Sequence, residues 1–279
     1  MRLEPIPLGS TPVLDDAAAA PPLDTPGMQA LRAELAELGE RMATLQDALY
    51  AENRRAVLAV LQARDTGGKD GVIRHVFGLV NPMGIEITSF KAPTALELSH
   101  DYLWRVHRRV PPRGTIGIFN RSHYEDVLAV RVHNLVPPDA WRVRYDQINA
   151  FERHLADNGV VIVKFCLHIS REEQRTRLLE RLHDPQKNWK FNPGDLSERA
   201  HWVDYTAAYA DAIRLTSTEW APWYVVPADR KPYRDLLVAR VIVETLERMA
   251  PSYPAAGPTA AQFVATLEGE ATDGGDPPG

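Results

Sequence analysis

The chain has 279 residues, a formal net charge of −5 at pH 7 and one cysteine, Cys166. A chain of this length can bury a large core without cross-links, and one cysteine excludes an internal disulfide framework and favours a reducing compartment. The acidic balance argues against a nucleic-acid partner, no apolar run is long enough to span a membrane, and the first residues lack a signal-peptide pattern. We therefore expect a cytoplasmic protein whose anion sites come from local basic clusters.

Residues 1–27 are rich in Pro and Ala without a period, and they are predicted to form a flexible tail. Apolar residues at steps of three and four predict an amphipathic helix over 28–53. Apolar runs then alternate with helical patterns up to residue 249. The predicted strands cover 56–61, 84–90, 115–119, 160–167 and 223–226, and the predicted helices cover 71–80, 95–109, 139–158, 171–182, 196–215 and 233–249. Residues 251–279 are again rich in Pro, Gly and Ala, which predicts a disordered tail.

The alternation of strands and helices indicates an α/β fold with right-handed crossovers and helices on both faces of the sheet. We predict a P-loop kinase-like, three-layer α/β/α domain over 28–250, with a five-stranded parallel sheet and a helical lid at about 181–200. Ligands of such sheets bind at the carboxyl ends of the strands. The segments that follow the first, third and fourth strands should therefore meet at one edge.

The segment A-R-D-T-G-G-K-D follows the first predicted strand and precedes a helix. This order is typical of a phosphate-binding P-loop, in which backbone N–H groups and a lysine face an anion. Only Gly68 and Lys69 match the pattern G-x-x-x-x-G-K-[ST], since Ala63 and Asp70 stand at its first and last positions. Asp65 inside the loop would repel phosphate unless a cation lies between them, which indicates Mg²⁺. The alternative is an ordinary strand-to-helix turn.

A second polar cluster follows the third strand, in the sequence F-N-R-S-H-Y-E-D-V-L-A-V-R-V-H. Its polar members are Asn120, Arg121, His123, Glu125, Asp126, Arg131 and His133. Nucleotide-binding sheets hold a second magnesium ligand at this place, a role that we predict for Asp126 or Glu125. The alternative is a solvated helix start, where carboxylates in the first turn are favoured by the helix dipole.

A basic segment follows the fourth strand and carries Arg175, Arg177, Arg181, Lys187 and Lys190. In a kinase, such a segment would be a mobile lid whose cations reach the transferring phosphate. The alternative is a solvated basic helix face that pairs with Glu172, Glu173 and Glu180.

These three segments together resemble the motifs of the family-2 polyphosphate kinases. The loop of that family has the form G-x-D-x-x-G-K, which this chain matches from Asp65 onward, with Ala63 in place of the first glycine. The second motif, N-R-S-H-Y-E-D-V-L-V-x-R-V-H, is matched over 120–133 with Ala129 for valine. The lid motif, R-x-x-D-P-x-K-x-W-K-F, is matched over 181–191. The similarity covers about residues 56–247.

The resemblance implies a Mg²⁺-dependent, reversible transfer of phosphate between inorganic polyphosphate and nucleotides, and the H-Y-E-D form indicates the subclass that acts on both mono- and diphosphates. It implies metal ligands at Asp65 and Asp126, phosphate ligands at Lys69 and Arg121, and lid cations at Arg181, Lys187 and Lys190. Further phosphate contacts are expected from Gly67, Gly68, Asp70, Arg131 and His133, and nucleotide contacts from Asn120 and Glu125. Adenine nucleotides, with guanine as a second option, are the expected partners of a homodimer or homotetramer.

Two other functions stay open at this point. An ATP-dependent nucleotide or small-molecule kinase on the same fold would need a base for a hydroxyl acceptor, and Asp65 is a candidate. A regulator that binds nucleotide or polyphosphate without turnover is the second alternative. A phosphate acceptor, in contrast, is already ionised near neutral pH and requires no general base.

Overall fold

The computed structural model describes residues 2–255, 257, 263–264 and 266–268. Within these residues lies one sheet, whose strands are β1 (Ala56–Gln62), β2 (Ile85–Ser89), β3 (Ile116–Asn120), β4 (Val160–His168) and β5 (Trp223–Pro227). The strand order is β2-β3-β1-β4-β5, and every neighbouring pair is parallel. The predicted five-stranded parallel sheet is confirmed.

The α-helices follow the strands along the chain in the alternation that the sequence predicts. They are α1 (Met28–Glu52), α2 (Lys69–His75), α3 (Ala95–Leu98), α4 (Trp104–His107), α5 (Ala129–Val132), α6 (Pro138–Arg142), α7 (Arg144–Asp157), α8 (Arg171–His183), α9 (Gly194–Ala200), α10 (Trp202–Thr216) and α11 (Lys231–Met249). Short 3₁₀ turns include His123–Asp126 and Asn188–Lys190. None of the helices in the described residues has the length and apolar content needed to cross a membrane.

The central strand β1 is buried on both faces and separates two apolar clusters. Val57, Ala59 and Leu61 pack with α1, α2 and α11 on one side of the sheet. Leu58 and Val60 pack with α5, α7 and α10 on the other side. Alternate side chains of a strand point to opposite faces, so this continuous apolar run serves both layers. The three-layer α/β/α prediction is confirmed.

Four predicted helices are interrupted in the structure. The helix predicted over 71–80 ends at His75 and is followed by a 3₁₀ turn over Phe77–Leu79. The helix predicted over 95–109 is divided into α3 and α4, because a turn at Asp101, whose carboxylate accepts from Leu103 N at 3.0 Å, stands between them. The helix predicted over 139–158 is broken at Val143, and the helix predicted over 196–215 is broken at His201. Side-chain periodicity continues across these breaks, so the sequence pattern does not reveal them.

The amino-terminal segment 2–27 is corrected from a flexible tail to a packed strap. Ile6 N donates to Trp223 O at 2.8 Å, and the Asp15 carbonyl lies 2.7 Å from His168 Nε2. Ala19 is fully buried. An extended segment has no period for a sequence pattern to reveal, yet its backbone groups pair with the end of the sheet. The predicted disorder of 251–279 falls largely outside the described residues.

Candidate active site

The P-loop joins β1 to α2 at the centre of the sheet edge. Its backbone takes left-handed conformations at Thr66, with φ 60°, and at Gly68, with φ 101°. Ala63 is 6 % exposed, and a β-carbon added to Gly67 would lie 2.6 Å from the Ala63 β-carbon. The methyl group of Ala63 is therefore accommodated inside the loop, against the glycine at position 67.

Lys69 begins α2 and folds back onto its own loop. Its Nζ donates to Ala63 O at 2.9 Å. Burial, together with repulsion by Arg121, lowers the pKa of Lys69 to about 8. Its ammonium group therefore lies at a desolvated place where an anion would be favoured.

The P-loop and the second polar cluster meet through Asp65 and Arg121. Arg121 Nη2 donates to Asp65 Oδ1 at 2.8 Å, while its Nη1 lies 3.6 Å from Glu125 Oε2. The Glu125 carboxylate, and after it that of Asp65, raises the pKa of the Arg121 guanidinium. Asn120 Nδ2, at the end of β3, also donates to Asp70 Oδ1 in the first turn of α2 at 2.9 Å, which is a second link between the two segments. The parallel register brings these two segments together as predicted.

A cleft of about 630 Å³ opens beside the P-loop. Among the described residues that line it, three are acidic, Asp65, Asp70 and Glu180, whereas nine are basic. The basic residues are Lys69, Arg74, Lys91, Arg121, Arg177, Arg181, Lys187, Lys231 and Arg234. Although the protein has a net charge of −5, the excess of basic side chains gives this cleft a positive potential that favours a polyanion.

Two buried arginines in this cleft were not among the predicted site residues. Arg177 is 6 % exposed and donates from Nη1 to Thr66 O at 3.0 Å. Arg234 is 1 % exposed and lies against Gly68 and Gly71, with its Nε donating to Asp235 Oδ1 at 2.8 Å. Arg177 belongs to the basic segment after β4, which was a usable signal, but nothing in the sequence marks Arg234 at the start of α11.

A smaller cavity of about 280 Å³ lies on the other side of Asp65 and Arg121, which border both spaces. It is lined by the aromatic rings of Trp202, Tyr205 and Tyr209, and by the carboxylates of Glu125, Asp195 and Glu198. His133 also lies here, with its Nε2 3.0 Å from Glu198 Oε2. The histidine predicted to bind phosphate is therefore placed in an acidic, aromatic cavity and is held by a carboxylate.

Two further predicted residues lie away from both spaces. Arg144 Nη1 donates to Asp126 Oδ1 at 3.0 Å, and burial raises the pKa of Asp126 to about 6. Arg131 Nη1 donates to Asp211 Oδ2 at 2.8 Å. Within the described part of the chain, neither Asp126 nor Arg131 lines the cleft or the smaller cavity. In this arrangement each of the two side chains has a protein partner of opposite charge. The phosphate contact of Arg131 and the metal-ligand role of Asp126 stay predictions.

The lid segment, residues 181–200, comprises the end of α8, the turn Asn188–Lys190 and α9. Arg181 Nη1 donates to Asp195 Oδ2 at 3.0 Å, and the Lys187 ammonium group pairs with Asp184. Arg181 and Lys187 both line the cleft, as predicted for lid cations. Lys190 lies in the same segment, but its side chain is outside the described part of the structure.

The middle of the second cluster is held by a buried polar network. The Lys164 ammonium group is fully buried and donates to Glu152 Oε2 at 2.6 Å and to the Tyr124 hydroxyl at 2.7 Å. His123 Nε2 lies 3.2 Å from Glu152 Oε1. These contacts fix the 3₁₀ turn His123–Asp126, so that Arg121, which precedes the turn, and Glu125, which lies within it, face the smaller cavity.

The sequence of this chain matches a known protein family. The model of the family described as polyphosphate kinase 2 matches residues 27–254. The chain belongs to the polyphosphate kinase 2 family. It is 58 % identical over 228 residues to the AMP/ADP-polyphosphate phosphotransferase of Meiothermus ruber, covering 82 % of this chain and 85 % of that protein.

Further relatives of this polyphosphate kinase 2 chain agree. It is 51 % identical over 231 residues to the ADP-polyphosphate phosphotransferase of Rhodopseudomonas palustris, covering 78 % of this chain and 80 % of that protein. The crystal structure of polyphosphate kinase 2 from Arthrobacter aurescens TC1 superposes with a TM-score of 0.85 at 43 % identity, covering 90 % of each chain. The fold expected from the resemblance is therefore confirmed.

The side chains of this polyphosphate kinase 2 chain fit a magnesium site that is completed by substrate phosphates and water. The described residues hold no group of three His, Cys, Asp or Glu side chains that could form a metal cage. Mg²⁺, however, is commonly held by one or two carboxylates together with substrate phosphates and water. Asp65 lies between the two spaces and is 21 % exposed, so its carboxylate can supply the protein ligand.

Proposed function

We propose that this protein transfers phosphate reversibly between inorganic polyphosphate and adenine nucleotides, converting AMP to ADP and ADP to ATP with Mg²⁺. The observation that carries the proposal is the cleft of nine cations around the P-loop in an otherwise acidic protein. Membership of the polyphosphate kinase 2 family and the AMP/ADP-polyphosphate phosphotransferase of M. ruber, at 58 % identity, support it.

The polyphosphate chain binds in the large cleft in this proposal, and the nucleotide enters from the smaller cavity. Asp65 and Arg121 border both spaces, so the transferring phosphate lies next to them. Lys69 and Arg121 stabilise the charge that develops on its oxygens. Glu125 lines the smaller cavity and contributes to nucleotide binding there, whereas Asn120 lines the large cleft and would contact the nucleotide only at its phosphates, next to Arg121. The aromatic side chains of the smaller cavity offer surfaces for a base.

The acceptor is a nucleotide phosphate oxygen that is already ionised, so the residues need not remove a proton from it. The barrier is dominated by repulsion between two polyanions and by their alignment. Asp65 would hold Mg²⁺, which supplies charge neutralisation and alignment of the phosphates when bound. Arg181 and Lys187 of the lid segment line the same cleft and contact the polyphosphate donor there.

A direct assay tests this function. The purified protein is incubated with polyphosphate and Mg²⁺ and with AMP, ADP, GMP or GDP in turn. We expect AMP to yield ADP first and ATP second. Conversion of ADP without any conversion of AMP would contradict the assignment to both nucleotide classes. A preference for ATP over polyphosphate as donor would favour the rival ATP-dependent kinase, and binding without turnover would favour a regulator.

The metal ligands are tested by magnesium titration of two variants. Asp65→Asn should raise the Mg²⁺ concentration for half-maximal rate at least about tenfold, because a carboxylate ligand is lost. Asp126→Asn should lower the rate without a comparable shift, since Asp126, unlike Asp65, lines neither the cleft nor the smaller cavity among the described residues. Equal shifts in both variants would restore Asp126 as a second ligand.

A cytoplasmic location and a homodimer or homotetramer remain predictions. The oligomeric state can be measured by light scattering.

A further inference from the structure

Arg64 leaves the P-loop on the side away from the cationic cleft and contacts the beginning of α10. Its Nη1 donates to Trp202 O at 3.0 Å, and its Nη2 donates to Thr206 Oγ1 at 2.5 Å. The guanidinium carbon lies 3.9 Å from the centroid of the Trp202 ring. Trp202 is the first residue of α10, separated from the lid segment by His201 alone. The P-loop therefore holds the start of α10, the helix that follows the lid segment.

A second link joins the adjacent loop residue to the same part of the lid segment. Gln174 is 2 % exposed and donates from Nε2 to Asp65 O at 3.0 Å. Arg199, in the last turn of α9, donates to Gln174 Oε1 at 2.9 Å. Neighbouring P-loop residues are thus tied to both sides of the α9–α10 break at His201.

The environment of Arg64 is unusual for a residue that only stabilises the fold. Burial lowers the pKa of the Arg64 guanidinium. Within the described residues, its contacts are a carbonyl, a hydroxyl and an indole ring, and it forms no ion pair. A partly buried charge without a carboxylate contact is a poor source of stability compared with an apolar side chain. Its planar, multi-donor geometry instead suits the fixing of two segments at a defined orientation.

We propose that Arg64 is a positioning residue that couples the P-loop to the lid segment and thereby directs phosphate to the nucleotide instead of to water. The inference rests on the proposed function. In the productive step, a nucleotide phosphate oxygen bonds to the terminal phosphorus of polyphosphate. The bond to the bridging oxygen breaks, and the shortened chain keeps that oxygen and its electron pair.

A displaced lid segment admits water to the same phosphorus. The water oxygen then forms the new bond, the same bridging bond breaks, and the water proton passes to a phosphate oxygen or to solvent. The product is orthophosphate and a chain shorter by one unit. Closing an active site prevents such side reactions by excluding water. The ratio of orthophosphate to nucleotide product therefore reports on lid placement.

The test compares Arg64→Lys with a matched control, Arg153→Lys. Arg153 also lies over a tryptophan, Trp220, at 4.9 Å, but stands on α7 outside both cavities. With polyphosphate, Mg²⁺ and ADP, we expect Arg64→Lys to transfer phosphate roughly tenfold to a hundredfold more slowly, because small misplacements cost about that much. Orthophosphate per ATP should rise several-fold, whereas Arg153→Lys should change neither quantity. A slower transfer with an unchanged ratio overturns the inference.

Hydrogen exchange gives a readout that does not depend on turnover. In the substrate-free protein, amides of 194–206 should exchange faster in Arg64→Lys than in the wild type or in Arg153→Lys. Unchanged exchange there overturns the coupling. Faster exchange in a protein whose wild type makes no nucleotide product would leave the coupling standing and refute the proposed function. If Arg64→Lys does not fold, Thr206→Val removes one acceptor of Arg64, together with the bond that Thr206 Oγ1 donates to Trp202 O within α10. It should show smaller changes in the same direction.

Discussion

The guanidinium group of Arg234 occupies the space that a β-carbon on Gly68 would fill. Gly68 has φ 101°, which L side chains rarely adopt, so two independent constraints require glycine at this position. Arg234 is held by Asp235, whose other carboxylate oxygen lies 3.0 Å from His75 Nδ1. α11 thus fixes the turn at Gly68, whose N–H groups we propose to bind phosphate.

The first prediction concerns Gly68→Ala. The backbone strain should lower the free energy of unfolding by roughly 1–2 kcal/mol, and displacement of Arg234 should abolish most transfer activity. Thermal melting and the polyphosphate assay measure the two effects. Gly78→Ala is the control, because a β-carbon there meets no atom within 4 Å, and it should behave as the wild type. Full activity in Gly68→Ala would contradict this account of the loop.

The second prediction concerns the pH dependence of polyphosphate binding. The pKa of Lys69 is lowered to about 8 by burial and by Arg121, from an ordinary value of 10.5. The ammonium charge is present below pH 8 and is lost as the pH rises through that value, so the affinity of the free protein for polyphosphate should fall above pH 8. Calorimetry between pH 7 and 9.5 measures this decrease. Arginine in Lys69→Arg stays charged over this range, so the polyphosphate affinity of the variant should depend less on pH. The same pH dependence in the variant and the wild type would assign the effect to another group.

The third prediction concerns the lid cation Lys187. Its side chain is 64 % exposed, and pairing with Asp184 raises its pKa, so it remains charged and contributes little to stability. Lys187→Ala should leave the melting temperature unchanged but slow transfer roughly a hundredfold, because a closed lid places the charge on phosphate in a desolvated site. Arg175→Ala is the control. Arg175 is 58 % exposed on α8, pairs with Glu172 and does not line the cleft.

Loss of melting temperature with retained specific activity in Lys187→Ala would show that this lysine is structural. The basic segment would then return to the alternative of a solvated helix face.

The fourth prediction concerns the buried pair of Lys164 and Glu152. Lys164→Met leaves a buried carboxylate facing His123 without its ammonium partner, and should cost on the order of 3–5 kcal/mol of unfolding free energy. The double variant Lys164→Met/Glu152→Leu should recover part of this loss, because no unpaired charge remains. Denaturant unfolding measures both. The exposed pair of Arg153 and Asp157 provides a comparison, where Arg153→Ala should cost less than about 1 kcal/mol. If Lys164→Met lowered the free energy of unfolding by less than about 1 kcal/mol, the buried pair would not have the stabilising role assigned to it.

The outline of the site could be predicted from the sequence because its information is local. The apolar run of β1, the glycine turn and the start of α2 are contiguous, and a parallel sheet brings the ends of β1, β3 and β4 to one edge whatever the details of packing. Asp65, Lys69 and Arg121 were therefore predicted together, and the structure joins Asp65 to Arg121 directly. The positions of helix breaks were not accessible in this way, since apolar periodicity continues through Val143 and His201.

The order of strands and helices, the P-loop and the family motifs could be read from the chain alone, because each depends on neighbouring residues and their spacing. Tertiary structure alone decided which partner each charged side chain takes. Arg234 reaches the P-loop from α11, Arg131 pairs with Asp211 80 positions away, and Asp126 pairs with Arg144. A long side chain pairs with whichever carboxylate the packed helices bring within about 3 Å, and that proximity is set by packing between distant segments, not by local sequence.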